Sequence, residues 1–99
     1  MRALTKDEVS SYLSIHLKNW TYTETAITRD LTFRNFVEAF SFMTAIALEA
    51  EKMDHHPYWT NVYNTLSISL NTHSAKGITQ LDFDLANKID TFYKRFDKM

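Results

Sequence analysis

The segment EKMDHHPYWTNVYNTLSISLNTH, residues 51–73, changes texture partway along. Up to Met53 it continues an apolar pattern of helical period. Pro57 then disfavours α conformation at His56, so the helix is expected to end near Asp54 or His55. Beyond the break, Val62, Leu66, Ile68 and Leu70 alternate with Thr65, Ser67, Ser69 and Asn71. That alternation predicts a half-buried strand with one polar face. If it holds to the end, His73 leaves on the polar side. Tyr58 to Tyr63 reads either as a separate short strand or as the bent start of the same one. The segment holds three of the four histidines and the single proline.

Working back towards the N-terminus, Asn35 with Glu38 three residues on is a helix-start signal. Phe36, Ala39, Phe40, Met43, Ile46, Ala47, Ala50 and Met53 follow as one stripe, widened by Val37, Ala45 and Leu48. A stripe this wide implies burial on more than one side. Before it, Trp20, Tyr22, Thr23, Thr25, Ile27, Thr28, Leu31, Thr32 and Phe33 are aromatic or β-branched, which suits strands. They predict a hairpin with arms near 20–24 and 26–34, its turn at Thr23-Glu24-Thr25 or Thr28-Arg29-Asp30. Thr5 and Glu8 form a capping-box pattern, and Val9, Tyr12, Leu13 and Leu17 then recur at helical spacing, giving a first helix of about 6–17. His16 lies on or beside its apolar face and reads as a boundary residue. Towards the C-terminus, Ser74-Ala75-Lys76-Gly77 is a turn, and Thr79 with Asp82 is a third capping signal. Leu85, Ala86, Ile89, Phe92, Tyr93 and Phe96 make an amphipathic helix of about 80–97. The expected fold is α+β, an antiparallel sheet with helices packed on one face.

Composition narrows the function classes. The chain has 99 residues, 44% hydrophobic, which is one domain spanning 1–99 with no room for a second core. A domain this small buries only roughly 60–65% of its unfolded surface, so self-association would help. A net charge of -1 gives no nucleic-acid footprint. The absence of cysteine excludes disulfides and thiolate metal sites. The N-terminal residues lack the apolar run of a signal peptide, and the run Ala39–Leu48 is far short of the ~20 residues needed to span a bilayer. A soluble, intracellular protein is the expectation.

The histidines carry the chemistry. Glu51 and His55 are four apart and share a helix face if the helix reaches His55. The negative end of the helix and a nearby carboxylate both favour imidazolium there, at an accessible corner. His56, forced off the helix by Pro57, points elsewhere, and His73 arrives from the end of a strand. A histidine pair suits proton shuttling because both forms are populated near neutral pH. Metal binding by the histidines with Asp54 or Asp82 competes with this reading, but adjacent histidines diverge and no HxxxH or HExxH spacing occurs. A plain loop role also competes, and Asp82 reads in any case as a helix-capping carboxylate.

Taken together, Glu51, His55-His56-Pro57, Tyr63, His73 and Asp82, with the gaps between them, resemble the pattern of the pterin-4a-carbinolamine dehydratases. The neighbouring run through Asn64, Thr72-His73 and Gly77-Ile78-Thr79 is similar too, so the resemblance covers about residues 4–97. It implies a four-stranded antiparallel sheet with three helices on one face, in the order α-β-β-α-β-β-α. It implies dehydration of a 4a-hydroxytetrahydropterin to quinonoid dihydropterin, recycling the cofactor of aromatic amino-acid hydroxylases, with no metal and no bound cofactor. It implies His55, His56 and His73 as catalytic residues. His55, His56, Pro57, Thr72, His73, Ser74 and Ala75 become substrate contacts, and Glu51, Asp54 and Asp82 orient or charge the histidines. A homodimer or homotetramer in the cytoplasm is implied, without nucleic acid or membrane. The competing reading from the same resemblance is an interaction protein, a dimerisation cofactor of a transcription factor, with a nuclear presence.

Overall fold

The computed structural model describes residues 2–97. Helix α1 spans Lys6–His16, β1 Thr21–Tyr22, β2 Ile27–Thr32, α2 Phe36–Met53, β3 Tyr58–Val62, β4 Thr65–Leu70 and α3 Gln80–Asp97, with a short 3-10 turn at His73–Ala75. The strands form one antiparallel sheet in the order β1-β2-β4-β3. The order of elements is thus α-β-β-α-β-β-α, an α+β fold.

Each helix starts where its side chains can satisfy free backbone N–H groups. Thr5 accepts from Glu8 N while Glu8 reaches back to Thr5 N, a complete capping box. Asn35 accepts from Glu38 N. Glu38 itself turns to Arg34 rather than to the Asn35 backbone, and that ion pair lets it sit buried. The first strand pair is a hairpin turned at Thr23–Ala26, the first of the two turn positions allowed by the sequence, with Glu24 at φ 72°. β3 and β4 are separate strands joined through Tyr63-Asn64. Val62 accordingly belongs to β3 and is exposed rather than aligned with Leu66, Ile68 and Leu70.

Ile27 pairs with Leu70 and Leu31 with Leu66 across the two central strands, and all four are buried. Between them on the same face, Arg29 is opposite Ile68. A charge on a covered face needs a partner, and α3 supplies it: Asp90 pairs with Arg29 and accepts from Trp20 Nε1, while the guanidinium lies over the Tyr93 ring. α1 packs on α3 through Tyr12 stacked 4.0 Å from Phe83. α2 is tied to α3 by Glu49, which bonds both Lys52 and Lys88. Those hydrogen bonds, Lys52 first, hold the Glu49 carboxyl below the usual carboxylate range.

The buried face of α2 differs from the expected stripe. Ala39, Phe42, Ile46 and Ala50 meet the core, whereas Phe36, Phe40 and Ala47 are exposed. Phe42, absent from that stripe, is fully buried against Phe33, Tyr93 and Phe96. The helix is apolar nearly all round, so its period alone does not choose the side facing the sheet. The sheet claims the Phe42 side. The other apolar side, Phe36, Val37, Phe40 and Leu48, faces outward.

Candidate active site

The site begins at the end of α2. Asp54 adopts the left-handed conformation (φ 51°, ψ 43°), which a short polar side chain tolerates. Asp54 N–H then bonds Glu51 O and His55 N–H bonds Ala50 O, the paired bonds of a Schellman ending. Pro57 follows, and β3 starts. The reversal takes His55 off the helix face and turns it inward, where it is only 8% exposed. The expected pairing of Glu51 with His55 at an accessible corner is therefore replaced. Glu51 Oε1 lies 2.8 Å from His56 Nε2, and both are exposed. A helical spacing argument fails once the chain leaves the helix two residues before His55.

His55 meets Asp82 instead, with Nε2 2.6 Å from Oδ1. Asp82 stands in the first turn of α3 and is completely buried. Its Oδ2 accepts from Thr79 N–H at 2.9 Å, which makes Thr79 and Asp82 a capping pair. The same oxygen accepts from Thr72 Oγ1 at 2.8 Å. The structural role expected of Asp82 is present, and its other oxygen serves the histidine. A carboxylate at a helix N-terminus is further stabilised by the positive end of the helix.

The second arm of the site is a tight loop. Thr72 and Gly77 exchange backbone bonds, Lys76 is left-handed at φ 58°, and the 3-10 turn His73–Ala75 bulges between them. A Cβ on Gly77 would lie 3.2 Å from that of Ala3, so glycine lets the N-terminal segment pass close over this loop. Leu4 N–H bonds Ile78 O beside it. His73 and Ser74 are exposed at the tip, and Ala75 and Pro57 are half-buried. Asp54 is exposed and shapes the corner through its backbone.

The three histidines therefore differ in state. His55 is clamped on a buried carboxylate, His56 rests on an exposed one, and the His73 ring is held by neither a carboxylate nor a hydroxyl among the described residues. Asp82 links the two arms, since it bonds both His55 and the residue before His73. Among the described residues no three His, Asp or Glu side chains converge as a metal-holding group. The sequence marked Thr79 only as a helix cap; its hydroxyl, which accepts from Leu81 N–H, also lies 2.8 Å from that of Thr72. Only the burial of Asp82 reveals this second contact, because a buried carboxylate needs more donors than one cap supplies.

The model of the family described as pterin 4 alpha carbinolamine dehydratase matches residues 2–92. The chain belongs to this family. A Mesorhizobium japonicum relative is 49% identical over 91% of this chain and 93% of its own. An Afipia carboxidovorans relative is 48% identical over 97% of this chain and 98% of its own. Both carry the provisional name pterin-4-alpha-carbinolamine dehydratase. The crystal structure of a transcriptional coactivator/pterin dehydratase from Brucella melitensis is similar in fold, with a TM-score of 0.89 and 41% identity over 93% of this chain and 99% of that one. No helix among the described residues is long and apolar enough to cross a membrane.

Proposed function

We propose that the protein is a hydro-lyase that removes water from a 4a-hydroxytetrahydropterin, returning quinonoid dihydropterin to the recycling route of aromatic amino-acid hydroxylases. The observation that carries this reading is Asp82 bridging His55 and Thr72, which joins the His-His-Pro corner to the loop bearing His73. In the reaction the bond from C4a to the hydroxyl oxygen breaks and that oxygen gains a proton to leave as water. The neighbouring ring nitrogen loses a proton, and its electron pair closes the new double bond to C4a. One group must give a proton and another take one. His55 and His73 are the acid–base pair, and His56 binds and positions the pterin beside them. Pro57 and the segment Thr72–Ala75 form the wall against the pterin, and Glu51, Asp54 and Asp82 support the histidines. General acid–base catalysis of this kind contributes roughly 10²–10⁴-fold, a demand that small side-chain machinery meets without a metal.

The test is the decay of 4a-hydroxytetrahydropterin absorbance in stopped flow, with wild type and with His73→Ala. Acceleration that His73→Ala abolishes is the expected result. No acceleration by folded wild type would overturn the reading.

The outward side of α2, with Phe36, Val37, Phe40 and Leu48, supports association with further copies of this chain, as a homodimer or homotetramer in the cytoplasm. Sedimentation showing only monomer at micromolar concentration would remove this part. The Brucella melitensis protein, described as both coactivator and dehydratase, favours one second reading: an interaction protein and dimerisation cofactor of a transcription factor, present in the nucleus where there is one. A folded, oligomeric protein without dehydratase activity would move that reading to first place.

A further inference from the structure

Hydrogen-bond counting around Asp82 gives the network a direction. A hydroxyl has one proton. Thr72 gives its proton to Asp82 Oδ2 at 2.8 Å, because a carboxylate only accepts. In its 2.8 Å contact with Thr79 Oγ1, Thr72 must therefore accept, so Thr79 donates. Thr79 Oγ1 in turn accepts from Leu81 N–H at 3.3 Å. The order is fixed: Leu81 N–H to Thr79, Thr79 to Thr72, Thr72 to Asp82. With Oδ2 also taking Thr79 N–H, Oδ1 is left facing His55 Nε2 at 2.6 Å. Nε2 then carries the hydrogen, and Nδ1 is the ring nitrogen left to exchange a proton elsewhere. Thr72, Thr79, Asp82 and His55 are all buried, and no buried side-chain polar atom among the described residues lacks a partner. Water therefore does not substitute easily for a missing member.

We propose that Thr79 is a positioning residue for His55: its hydroxyl, two hydrogen bonds from the carboxylate, orients Thr72 towards Asp82 and so fixes the carboxylate on which the Nε2–H of the imidazole rests. The inference rests on the dehydratase reading for its catalytic consequence, but its structural half stands apart from activity. Without the Thr79 hydroxyl, Thr72 loses the donor that pins its oxygen. Its own proton then swings between Asp82 and other acceptors. Asp82 keeps the Thr79 backbone N–H but loses a donor with a fixed direction, and the hold on the imidazole loosens. Serine at 79 keeps the hydroxyl and the cap; valine keeps the shape and loses both.

The test pairs imidazole 15N NMR of the whole protein with steady-state dehydration kinetics for wild type, Thr79→Ser, Thr79→Val, Thr72→Val and the double valine variant. Wild type and Thr79→Ser are expected to show His55 as the Nε2–H tautomer, with kcat within about twofold of each other. Thr79→Val is expected to keep the Nε2–H tautomer, since Asp82 still only accepts, but to exchange that hydrogen with solvent about tenfold faster, with kcat down about tenfold and KM within about twofold, as for an orienting network that acts on the chemical step. Since the hydroxyls act in series, the double variant should be no slower than Thr72→Val alone. A wild-type His55 that is mainly Nδ1–H overturns the proposal whatever the variants do. So does a Thr79→Val protein that melts earlier yet keeps the wild-type kcat and the wild-type exchange rate of the His55 Nε2–H, since Thr79 is then only a helix cap. A wild-type protein with the expected tautomer but no dehydration would sink the dehydratase reading and leave the hydroxyl chain standing.

Discussion

His55 and His56 are neighbours in the chain, and each closes on a carboxylate at hydrogen-bond distance. There the likeness ends. His55 reaches Asp82, 27 residues on, at the buried foot of α3. His56 reaches Glu51, five residues back, where the Glu51 side chain is 79% exposed. The buried pair is embedded among Thr72 and Thr79, so its geometry is shared by four side chains. The exposed pair is two side chains in water, free to exchange partners with solvent. The left-handed turn at Asp54 makes this division, because it sends one imidazole under the helix end and leaves the other outside. A pair of adjacent histidines can thus supply one fixed group and one adaptable group from a single corner. Fixed orientation suits proton transfer, whereas adaptable contact suits ligand entry and binding.

The strongest way to break this contrast is at Asp82. Asp82→Ala leaves His55, Thr72 and Thr79 N–H without their acceptor, and should cost about 3–5 kcal/mol in urea denaturation, as removal of one member of a buried pair does. Asp82→Asn is more informative. Its amide puts a donor on one side of a group that is all acceptor now. If that donor faces His55, Nε2 must become the acceptor and the other tautomer is forced. If it faces Thr79 N–H, two donors oppose each other. The expected result is a folded protein with kcat reduced roughly 10²–10⁴-fold, the range for a lost acid–base group or wrong tautomer. Near wild-type kcat in a folded Asp82→Asn protein would show that the buried pair does not set the chemistry.

The same division explains what the sequence made legible. Local signals were reliable: the three caps at Thr5, Asn35 and Thr79, the break at Pro57 and the alternation of Leu66, Ile68 and Leu70 are each decided within a few residues. The candidate histidines were visible from their spacing. Which histidine meets which carboxylate was not, because it turns on one backbone conformation at Asp54 and on the docking of α3. The α2 face was missed for a related reason. Phe40 and Phe42 are equally apolar, and only the position of the sheet separates the exposed ring from the buried one. Arg29 was unreadable as a covered-face residue until Asp90 was brought opposite it from α3.

At Glu51 the expected effects are smaller. Glu51→Gln keeps an acceptor for His56 and removes only an exposed charge, a change of about 0–1 kcal/mol. Dehydration should fall by about fivefold or less, with most of the loss in KM. Raising salt from about 0.1 M to about 1 M shortens the screening length from ~10 Å to ~3 Å. The gap between wild type and Glu51→Gln should then close, while the Asp82→Asn deficit persists. Equal damage from the two substitutions, or equal sensitivity to salt, would mean that burial is not what distinguishes the histidines.

The smallest effect falls outside the site, at Glu8, and it tests whether exposure alone makes a carboxylate pair weak. Hydrogen bonds from Arg2, and then from the Thr5 backbone, hold the exposed Glu8 carboxyl down at about 2, against an ordinary value of 4.5. A carboxyl lowered on folding adds stability above its unfolded value, and that contribution fades as pH falls from about 4.5 through about 2. Glu8→Gln should leave a shallower loss of melting temperature across that window than wild type shows, with the two proteins converging below it. Its dehydratase activity near neutral pH should be unchanged. Because Glu8 is solvated, the difference in slope should shrink in high salt. If it persists there undiminished, hydrogen-bond geometry outweighs screening even at the surface. The Glu51 pair beside His56 would then merit the same weight as the buried pair beneath His55.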